Sequence, residues 1–273
     1  MNIIGIGTPG VKIADQFSLH PQYRIYKIDS APGSAKNYHK IPKLTKPEDY
    51  ETQDIKDLSF LSKLSGNTIV VLSGSSYESS ISLRIMEKIH KKCNITVLYI
   101  QPDPTACSPV KLVHEKVIRN VLQQYARSGV FDRMIMVSNR DLEAATGPTT
   151  IKKYFNSLNE RLVSGLHSIN VLENTASIYS TFNPVGNTSR IITIGVFDVE
   201  TGEEKSFFPL DLLSEKRYYY LINKKIIDTD VDILTKIRKD MESLGPLSSY
   251  AVYESDYEEN YGFVVSYSRE IQK

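Results

Sequence analysis

The segment of residues 67–80 constrains the fold of this chain more than any other. An apolar run breaks there into a loop of small residues, which leads directly into a helical pattern. A phosphate-binding loop has this layout, and its glycines bring backbone N–H groups close to an anion. Here Gly74 is the only glycine between residues 72 and 84, and Glu78 adds a negative charge. The segment therefore predicts an α/β fold with an altered phosphate loop.

Composition excludes several classes of protein. The 273 residues are 41% hydrophobic, enough for a substantial core, and 33 Lys and Arg balance 32 Asp and Glu. A net charge of +1 gives no general attraction to nucleic acid or to an anionic membrane. Cys93 and Cys107 cannot form a disulfide framework, and neither a signal peptide nor a membrane-length apolar run is present. We expect a cytoplasmic protein with no specific nucleic-acid partner and no membrane insertion.

The first half alternates between strand and helix patterns. Strands are predicted at 2–7, 23–28, 68–72, 95–100 and 133–137, and helices at 11–19, 79–91, 109–128 and from Thr149 onward, with a loop over 31–46. Such alternation predicts a mostly parallel sheet covered on both faces, with a ligand crevice at the carboxyl ends of its strands.

The long helix and the segment after it have a different pattern of predicted elements from the first half. The helix has an apolar stripe of Ile151, Tyr154, Phe155, Leu158, Leu162, Val163, Leu166 and Ile169. Beyond it, strands are predicted at 189–197, 217–222, 248–253 and 261–267, with a helix at 230–244 that Asp228 or Thr229 would cap. This pattern predicts a nucleotide-binding type domain over 1–174 and a smaller α+β domain over 175–273.

The strongest short motif is Gly5-Ile-Gly-Thr-Pro-Gly10, which matches Gly-x-Gly-x-x-Gly between a strand and a helix. Asp29 lies at the end of the next strand, where a dinucleotide-binding protein places its ribose-binding acid. Pro9 weakens the match because it removes a backbone N–H donor. The alternative is a tight strand-to-helix turn that binds no ligand.

Other chemistries find less support. Ser76 fails as a hydrolase nucleophile because Glu78 occupies the position that requires glycine. The five histidines and two cysteines lack ligand spacing, so no metal site is predicted. The tyrosines 218–220 are typical of nucleic-acid stacking or of a half-buried strand, and we interpret them as strand residues with one exposed side.

In the order of its elements, the chain resembles the tubulin/FtsZ family over nearly its whole length. The first loop of that family is similar to Gly5–Gly10, its phosphate signature to Ser73–Ser80, and its base-side loop to Ser138–Leu142. Asn156 lies where the family places a guanine-contacting asparagine, and Val163–Leu166 is similar to a Val-x-Gly-Ile pattern in its central helix. The closing unit is also similar, at 218–222, 231–243, 248–254 and 262–268.

The resemblance implies a fold, but this sequence lacks the residues that hydrolysis would need. The family's catalytic loop, Asn-x-Asp-x-x-Asp, is similar to Asn174–Tyr179, with Ala176 and Tyr179 at the acidic positions. No aspartate occurs between Asp141 and Asp198, and Glu173 is the one nearby acid. No catalytic residue is therefore assigned.

The resulting hypothesis is a structural or assembly subunit of tubulin/FtsZ fold that has lost GTP hydrolysis and works through contacts with itself, head to tail, or with other structural proteins. No cofactor is expected, although GTP or GDP is compatible with the fold. A retained nucleotide would be bound by Gly5, Gly7, Thr8, Gly10, Gly74, Ser75, Ser76, Asn139 and Asn156.

Three alternatives stay open. They are a GTP-binding filament protein, a dinucleotide-dependent enzyme and a monomeric adaptor. Relatives encoded by plasmids and bacteriophages make a host-cytoplasm or virion location compatible with the resemblance.

Overall fold

The computed structural model of the protein describes residues 1–34, 36–55 and 57–273. Its strands are β1 (Asn2–Ile6), β2 (Arg24–Asp29), β3 (Tyr38–Lys40), β4 (Gly66–Ser73), β5 (Cys93–Gln101), β6 (Arg133–Ser138), β7 (Tyr179–Ser180), β8 (Ile191–Phe197), β9 (Glu204–Ser206), β10 (Leu213–Asn223), β11 (Ser248–Ser255) and β12 (Tyr261–Ser268). Its α-helices are α1 (Gly7–Phe17), α2 (Pro47–Thr52), α3 (Ser82–Ile89), α4 (Pro109–Arg127), α5 (Asn139–Thr146), α6 (Tyr154–Glu173), α7 (Lys224–Thr229) and α8 (Ile233–Leu244).

The strands join in one continuous sheet of order β3-β2-β1-β4-β5-β6-β8-β12-β10-β11-β7, with β9 paired to β8. Pairing is parallel from β3 through β8, antiparallel across β8, β12 and β10, and parallel again between β10 and β11. The predicted α/β fold with a mostly parallel sheet is confirmed. Only two residue pairs, Met134 with Ile191 and Ile135 with Ile192, join β6 to β8.

Apolar side chains cover both faces of the sheet. Helices α1 and α6 pack on one face through residues such as Phe17 and Leu162, and α3 and α4 pack on the other through residues such as Ile85 and Leu122. Every residue of β1 is buried, as expected for a strand between two layers. The parallel strands therefore end at one edge, where the β1–α1, β4–α3 and β6–α5 connections lie together.

The tyrosines 218–220 lie in β10, as predicted, but the prediction of an exposed side is wrong. All three are at most 3% exposed. Tyr219 belongs to the core beneath α6, whereas Tyr218 and Tyr220 belong to a second cluster against α8. Because both faces of this strand are packed against other residues, these three rings form no exposed stacking surface.

The predicted start of the long helix is also wrong. Helix α6 begins at Tyr154, after Lys153 as its N-terminal flanking residue. Ile151 lies outside it and is 96% exposed, and Phe155 is 62% exposed. The apolar spacing extended into the preceding turn by coincidence, so Ile151 and Phe155 do not belong to the buried stripe.

The C-terminal helix begins later than predicted, because α7 occupies the residues assigned to its cap. Asp228 and Thr229 lie in α7, and α8 starts at Ile233. The backbone N–H of Asp232 instead donates to Asp230 Oδ1 at 2.9 Å. An Asx turn thus separates the two helices. The sequence also did not predict the elements β3, α2, α5, β7 and β9.

Two stacked histidines join the α1–β2 turn to α6. The rings of His20 and His167 lie 3.7 Å apart between centroids. His167 Nδ1 is 3.1 Å from the Tyr23 hydroxyl, and Asn170 Nδ2 donates to the same hydroxyl. Burial, together with the neighbouring His20, lowers the pKa of His167.

We expect this lowered pKa to make stability depend on pH. The unfolded chain protonates His167 near its ordinary pKa of about 6.5, while the folded chain resists protonation. Near pH 7 neither state binds this proton, so His167 does not lower the free energy of unfolding. As the pH drops toward about 5, the unfolded chain binds the proton more readily, and the free energy of unfolding falls. Urea unfolding of His167→Asn should give a flatter profile below pH 7 and one parallel to wild type above it. Equal slopes below pH 7 would contradict this prediction.

Candidate functional site

The β4–α3 loop is shaped by packing beneath Gly74. A Cβ atom on Gly74 would overlap the Tyr99 hydroxyl and would lie 2.8 Å from Glu115 Cγ. Both neighbours are buried, and the Tyr99 hydroxyl donates to Glu115 Oε1 at 2.8 Å. Packing in the core therefore leaves no room for a side chain at Gly74 of the altered phosphate loop.

The side chains beneath Gly74 continue into a buried polar network. Arg119 pairs with Glu115 at 2.8 Å, and both are about 95% buried or more. Arg119 Nη1 donates to the Gln272 carbonyl at 2.9 Å, and Gln123 exchanges two hydrogen bonds with the Gln272 backbone, at 3.0 and 2.7 Å. This Glu115–Gln272 network joins α4 to the segment after β12.

Gly5 and Gly10 are likewise occupied by packing. A Cβ on Gly5 would lie 2.5 Å from the Gly10 carbonyl oxygen, and one on Gly10 would lie 2.5 Å from the Val71 carbonyl oxygen. These contacts bring α1 directly onto β1 and β4, which the third glycine of a dinucleotide motif also does. Close helix–strand packing therefore accounts for two of the three glycines without a ligand.

The surface over Gly7 is covered by the chain itself. Gly7 has φ +68°, and a Cβ there would overlap the Ser76 hydroxyl and lie 3.4 Å from Glu78 Cβ. Glu78 lies in the 3₁₀ turn Tyr77–Ile81. The positive φ explains the glycine, because L-residues rarely adopt it. Two side chains from the β4–α3 loop thus occupy the approach to the start of α1.

Glu78 is held there as a carboxylate. Its Oε1 accepts from the Ser30 hydroxyl at 2.5 Å, and its Oε2 accepts from the Ser76 hydroxyl at 2.6 Å. Burial alone would raise the pKa of Glu78, but these two hydrogen bonds and the charge of Lys43 together lower it. A fixed negative charge therefore lies against the helix start where a phosphate would approach. These residues do not fit the phosphates of GTP.

Asp29 does not face a cofactor site. It is 2% exposed, its Oδ2 accepts from the Thr8 hydroxyl at 2.9 Å, and its Oδ1 accepts from the Ala31 N–H at 3.3 Å. The carboxylate thus fastens the β1–α1 turn to the end of β2. This geometry disfavours the dinucleotide hypothesis, since the acid that would bind a ribose is already satisfied.

A cleft of about 310 Å³ lies beside this loop, and it brings together three of the nine predicted nucleotide-binding residues: Thr8, Ser75 and Asn139. Sequence reasoning missed Lys12, Lys111 and Asn159, which line the same cleft. Lys12 lies one turn after Thr8 on α1, a spacing that the sequence does show. The cleft offers two cations, one carboxylate at Asp103 and several hydrogen-bonding groups beside the blocked phosphate loop.

Asn156 does not line this cleft. Its Oδ1 accepts from Gln16 Nε2 at 2.9 Å and its Nδ2 donates to Glu160 Oε1 at 2.6 Å, so it joins α6 to α1. Asn159, three residues further along the same helix, faces the cleft instead. The predicted contact of Asn156 with guanine stays a prediction. Asn159 is the asparagine of this helix that lines the cleft.

The segment after the central helix pairs with the sheet. Tyr179 lies opposite Val252 and Ser180 opposite Ala251 as strand β7. The Tyr179 ring stacks on Tyr250 at 5.6 Å, and the Arg238 guanidinium lies 5.4 Å from its centroid. The end of the stretch that resembles a catalytic loop, at Tyr179, is therefore fixed in an edge strand.

Glu173, the one acid near that stretch, is engaged elsewhere. Its Oε1 lies 3.7 Å from Arg133 Nη1 and accepts a long hydrogen bond of 3.4 Å from the Tyr219 hydroxyl. A carboxylate held by an arginine at the base of the sheet is poorly placed to polarise a water in a neighbouring subunit.

Comparison with known proteins shows the fold. No protein-family profile matches the sequence, and no curated protein sequence matches it. Solved structures match over nearly the whole chain. CetZ from Methanosaeta thermophila strain DSM 6194 is 16% identical, with a TM-score of 0.68 over 98% of this chain and 86% of that one. A GTPγS-form protofilament of TubZ from Bacillus thuringiensis serovar israelensis is 15% identical, with a TM-score of 0.72 over 97% and 87%.

A third solved structure is also similar to this chain. An FtsZ dimer from M. jannaschii is 11% identical, with a TM-score of 0.65 over 98% of this chain and 87% of that one. The chain therefore has the tubulin/FtsZ fold, as the resemblance predicted. TubZ is also known in a GDP form and as two- and four-stranded filaments. In the described ranges, no helix is long and apolar enough to cross a membrane.

Proposed function

We propose that this protein is an assembly subunit of tubulin/FtsZ fold that has lost family-type GTP hydrolysis and acts through protein–protein contacts. The observation that carries the proposal is the Glu78 carboxylate, fixed by Ser30 and Ser76 above Gly7. Phosphoryl transfer depends on positioning and on stabilising negative charge. A like charge in the phosphate position opposes both.

The edge strand β7 supports the same proposal. A catalytic loop must extend into the site of an adjacent subunit, whereas Ile178 and Thr181 here donate backbone hydrogen bonds to β11 at 2.8 and 2.9 Å. No carboxylate lies between Asn174 and Tyr179. Hydrolysis would need both an acid and a free loop.

The comparisons favour a second copy of the same chain as the partner. The solved TubZ structures are protofilaments and filaments, and a head-to-tail contact of this kind is heterologous, so it gives open filaments or closed rings. We propose a homo-oligomer stacked along the direction of the parallel strands, with the two domains 1–174 and 175–273 contributing opposite ends. We also propose that the protein is located in a host cytoplasm or in a virion.

A GTP-binding filament protein is the second candidate. The 310 Å³ cleft favours it, because Lys12 and Lys111 supply positive charge beside Thr8 and Asn139. Nucleotide binding would then use the cleft and bypass the covered surface over Gly7.

Sedimentation velocity with and without magnesium GTP separates these candidates. Guanine absorbance is followed in the same boundary as the protein. We expect no bound guanine and a size distribution that GTP leaves unchanged. Guanine that co-sediments with large species only in the presence of GTP would establish the filament candidate and overturn the proposal.

Removing the charge of Glu78 should weaken the repulsion of a phosphate group at this site. Glu78→Gln keeps the size of the side chain and a hydrogen-bond acceptor, so we expect the fold to persist and the affinity for magnesium GTP to rise about fivefold, because a like-charge repulsion of about 1 kcal/mol disappears. Calorimetric titration provides the measurement.

The matched control is Glu48→Gln, an exposed acid on α2. It should leave GTP affinity at the wild-type value. A wild-type protein that binds GTP as tightly as Glu78→Gln would show that Glu78 is not the barrier.

A further inference from the structure

A second cleft, of about 460 Å³, lies between α6 and the C-terminal part of the sheet. Its apolar wall includes Phe197, Leu221 and Phe263, and its polar wall includes Ser164, Ser168 and Asn260. It is separate from the 310 Å³ cleft, with which it shares no lining residue. Nothing proposed above assigns it a role.

Arg161 lines this cleft without a partner. Its Nε–H group is buried and donates no hydrogen bond, and the described residues give its guanidinium no hydrogen bond or ion pair. Burial lowers the pKa of Arg161, and no neighbouring acid offsets the effect. Arg161 is half-buried, and a buried donor without an acceptor is costly, so the arrangement indicates an anion that is supplied from outside.

The two acids of the cleft are already engaged. Asp198 Oδ1 accepts from the N–H groups of Glu200 and Thr201 at 2.9 and 2.7 Å. Glu203 lies 3.5 Å from Lys205 Nζ. Neither carboxylate therefore neutralises Arg161, although both add negative charge to the cleft.

We propose that this cleft binds a small monocarboxylic acid with an apolar or aromatic body. The planar guanidinium matches a carboxylate, with which it forms paired charge-assisted hydrogen bonds. The rings of Phe197 and Phe263 and the side chain of Leu221 would contact the body of the ligand. A single charge is favoured because Asp198 and Glu203 would repel a dianion. The cleft volume is typical of small-molecule sites.

Phenylacetate and its neutral isostere phenylacetamide are the probes. The ¹⁵N–¹H signal of Arg161 Nε, assigned by its loss in Arg161→Gln, reports binding directly. We expect phenylacetate to shift it saturably, and both phenylacetamide binding to wild type and phenylacetate binding to Arg161→Gln to be at least about tenfold weaker. Arg269→Gln, at an exposed arginine, is the control and should bind phenylacetate as wild type does. A signal that does not move, or that moves equally with the amide, would overturn the proposal.

A purely structural role for Arg161 makes a different prediction. Arg161→Met removes an unpaired charge and retains the aliphatic bulk, so we expect its thermal midpoint to equal or exceed that of wild type. A variant that unfolds or loses stability would show that the guanidinium serves the fold, and would overturn the proposal.

The carboxylate of a second copy of the chain is the rival occupant. In that case the apparent affinity for phenylacetate would fall as protein concentration rises, because the copies compete with the probe. We expect an affinity that is independent of protein concentration. This test is separate from the GTP experiments, since the second cleft contains none of the residues on which the proposed loss of GTP hydrolysis depends.

Discussion

Replacing Gly74 with alanine is expected to lower the free energy of unfolding by about 2 to 3 kcal/mol, the usual cost of overpacking a core. The added methyl group would overlap the Tyr99 hydroxyl and press on Glu115 Cγ at 2.8 Å. Neither side chain can swing aside, because Tyr99 is fully buried and bonded to a Glu115 that is itself held by Arg119. Urea unfolding followed by circular dichroism provides the measurement.

Gly186→Ala is the matched control, since a Cβ there meets only Ser189 Oγ at 3.8 Å and stability should change little. Adding Tyr99→Phe to Gly74→Ala removes the overlapping hydroxyl, so the double variant should be less destabilised than the sum of the single variants. If Gly74→Ala is as stable as Gly186→Ala, the loop is looser than its packing indicates.

Arg119→Met is expected to cost about 3 to 5 kcal/mol, the range for removing one partner of a buried ion pair. Glu115, which is 3% exposed, would be left without an ion-pair partner, and only the Tyr99 hydroxyl would still donate to its side chain. The Gln272 carbonyl would also lose the donor that lies 2.9 Å away. Equilibrium unfolding in urea measures the change.

The pair can be tested as a unit. Glu115→Leu alone should be similarly destabilising, because it leaves the Arg119 guanidinium buried and unpaired. The double variant, with neither charge, should recover a large part of the loss. Additive losses would mean that the two side chains stabilise the fold independently, and the interpretation of α4 as the base of a coupled network would fail.

The strand pattern of the first half was predictable because parallel strands covered on both faces are continuous apolar runs, and β1, β4 and β5 have that pattern. Helix α5 was missed although a signal existed. Ser138 Oγ accepts the N–H of Asp141 at 3.4 Å, and a serine followed three residues later by an acid is a capping pattern. The resemblance of this stretch to a loop outweighed that local signal.

The site was harder to predict because its meaning depends on contacts between distant segments. The sequence shows Gly5, Gly7, Gly10 and Gly74 as a possible phosphate cradle, while the fold uses three of them for close packing and covers Gly7 with another loop. Glu78 was recognised as a like charge, but its hydrogen bond from Ser30 joins segments that no local pattern relates. Arg161 gave no signal, since a missing partner is visible only in three dimensions.

The Glu115–Gln272 network also imposes an order on biosynthesis. Arg119 and Gln123 find their acceptors in a residue that is 153 and 149 positions further along the chain. At about 5 to 20 residues per second, the ribosome releases that residue roughly 8 to 30 s after α4. During this interval the polar side chains of α4 either stay hydrated or are packed against the sheet without their partner Gln272. Nascent chains stalled before residue 272 should therefore be readily cleaved by protease around α4, and the completed chain should be resistant.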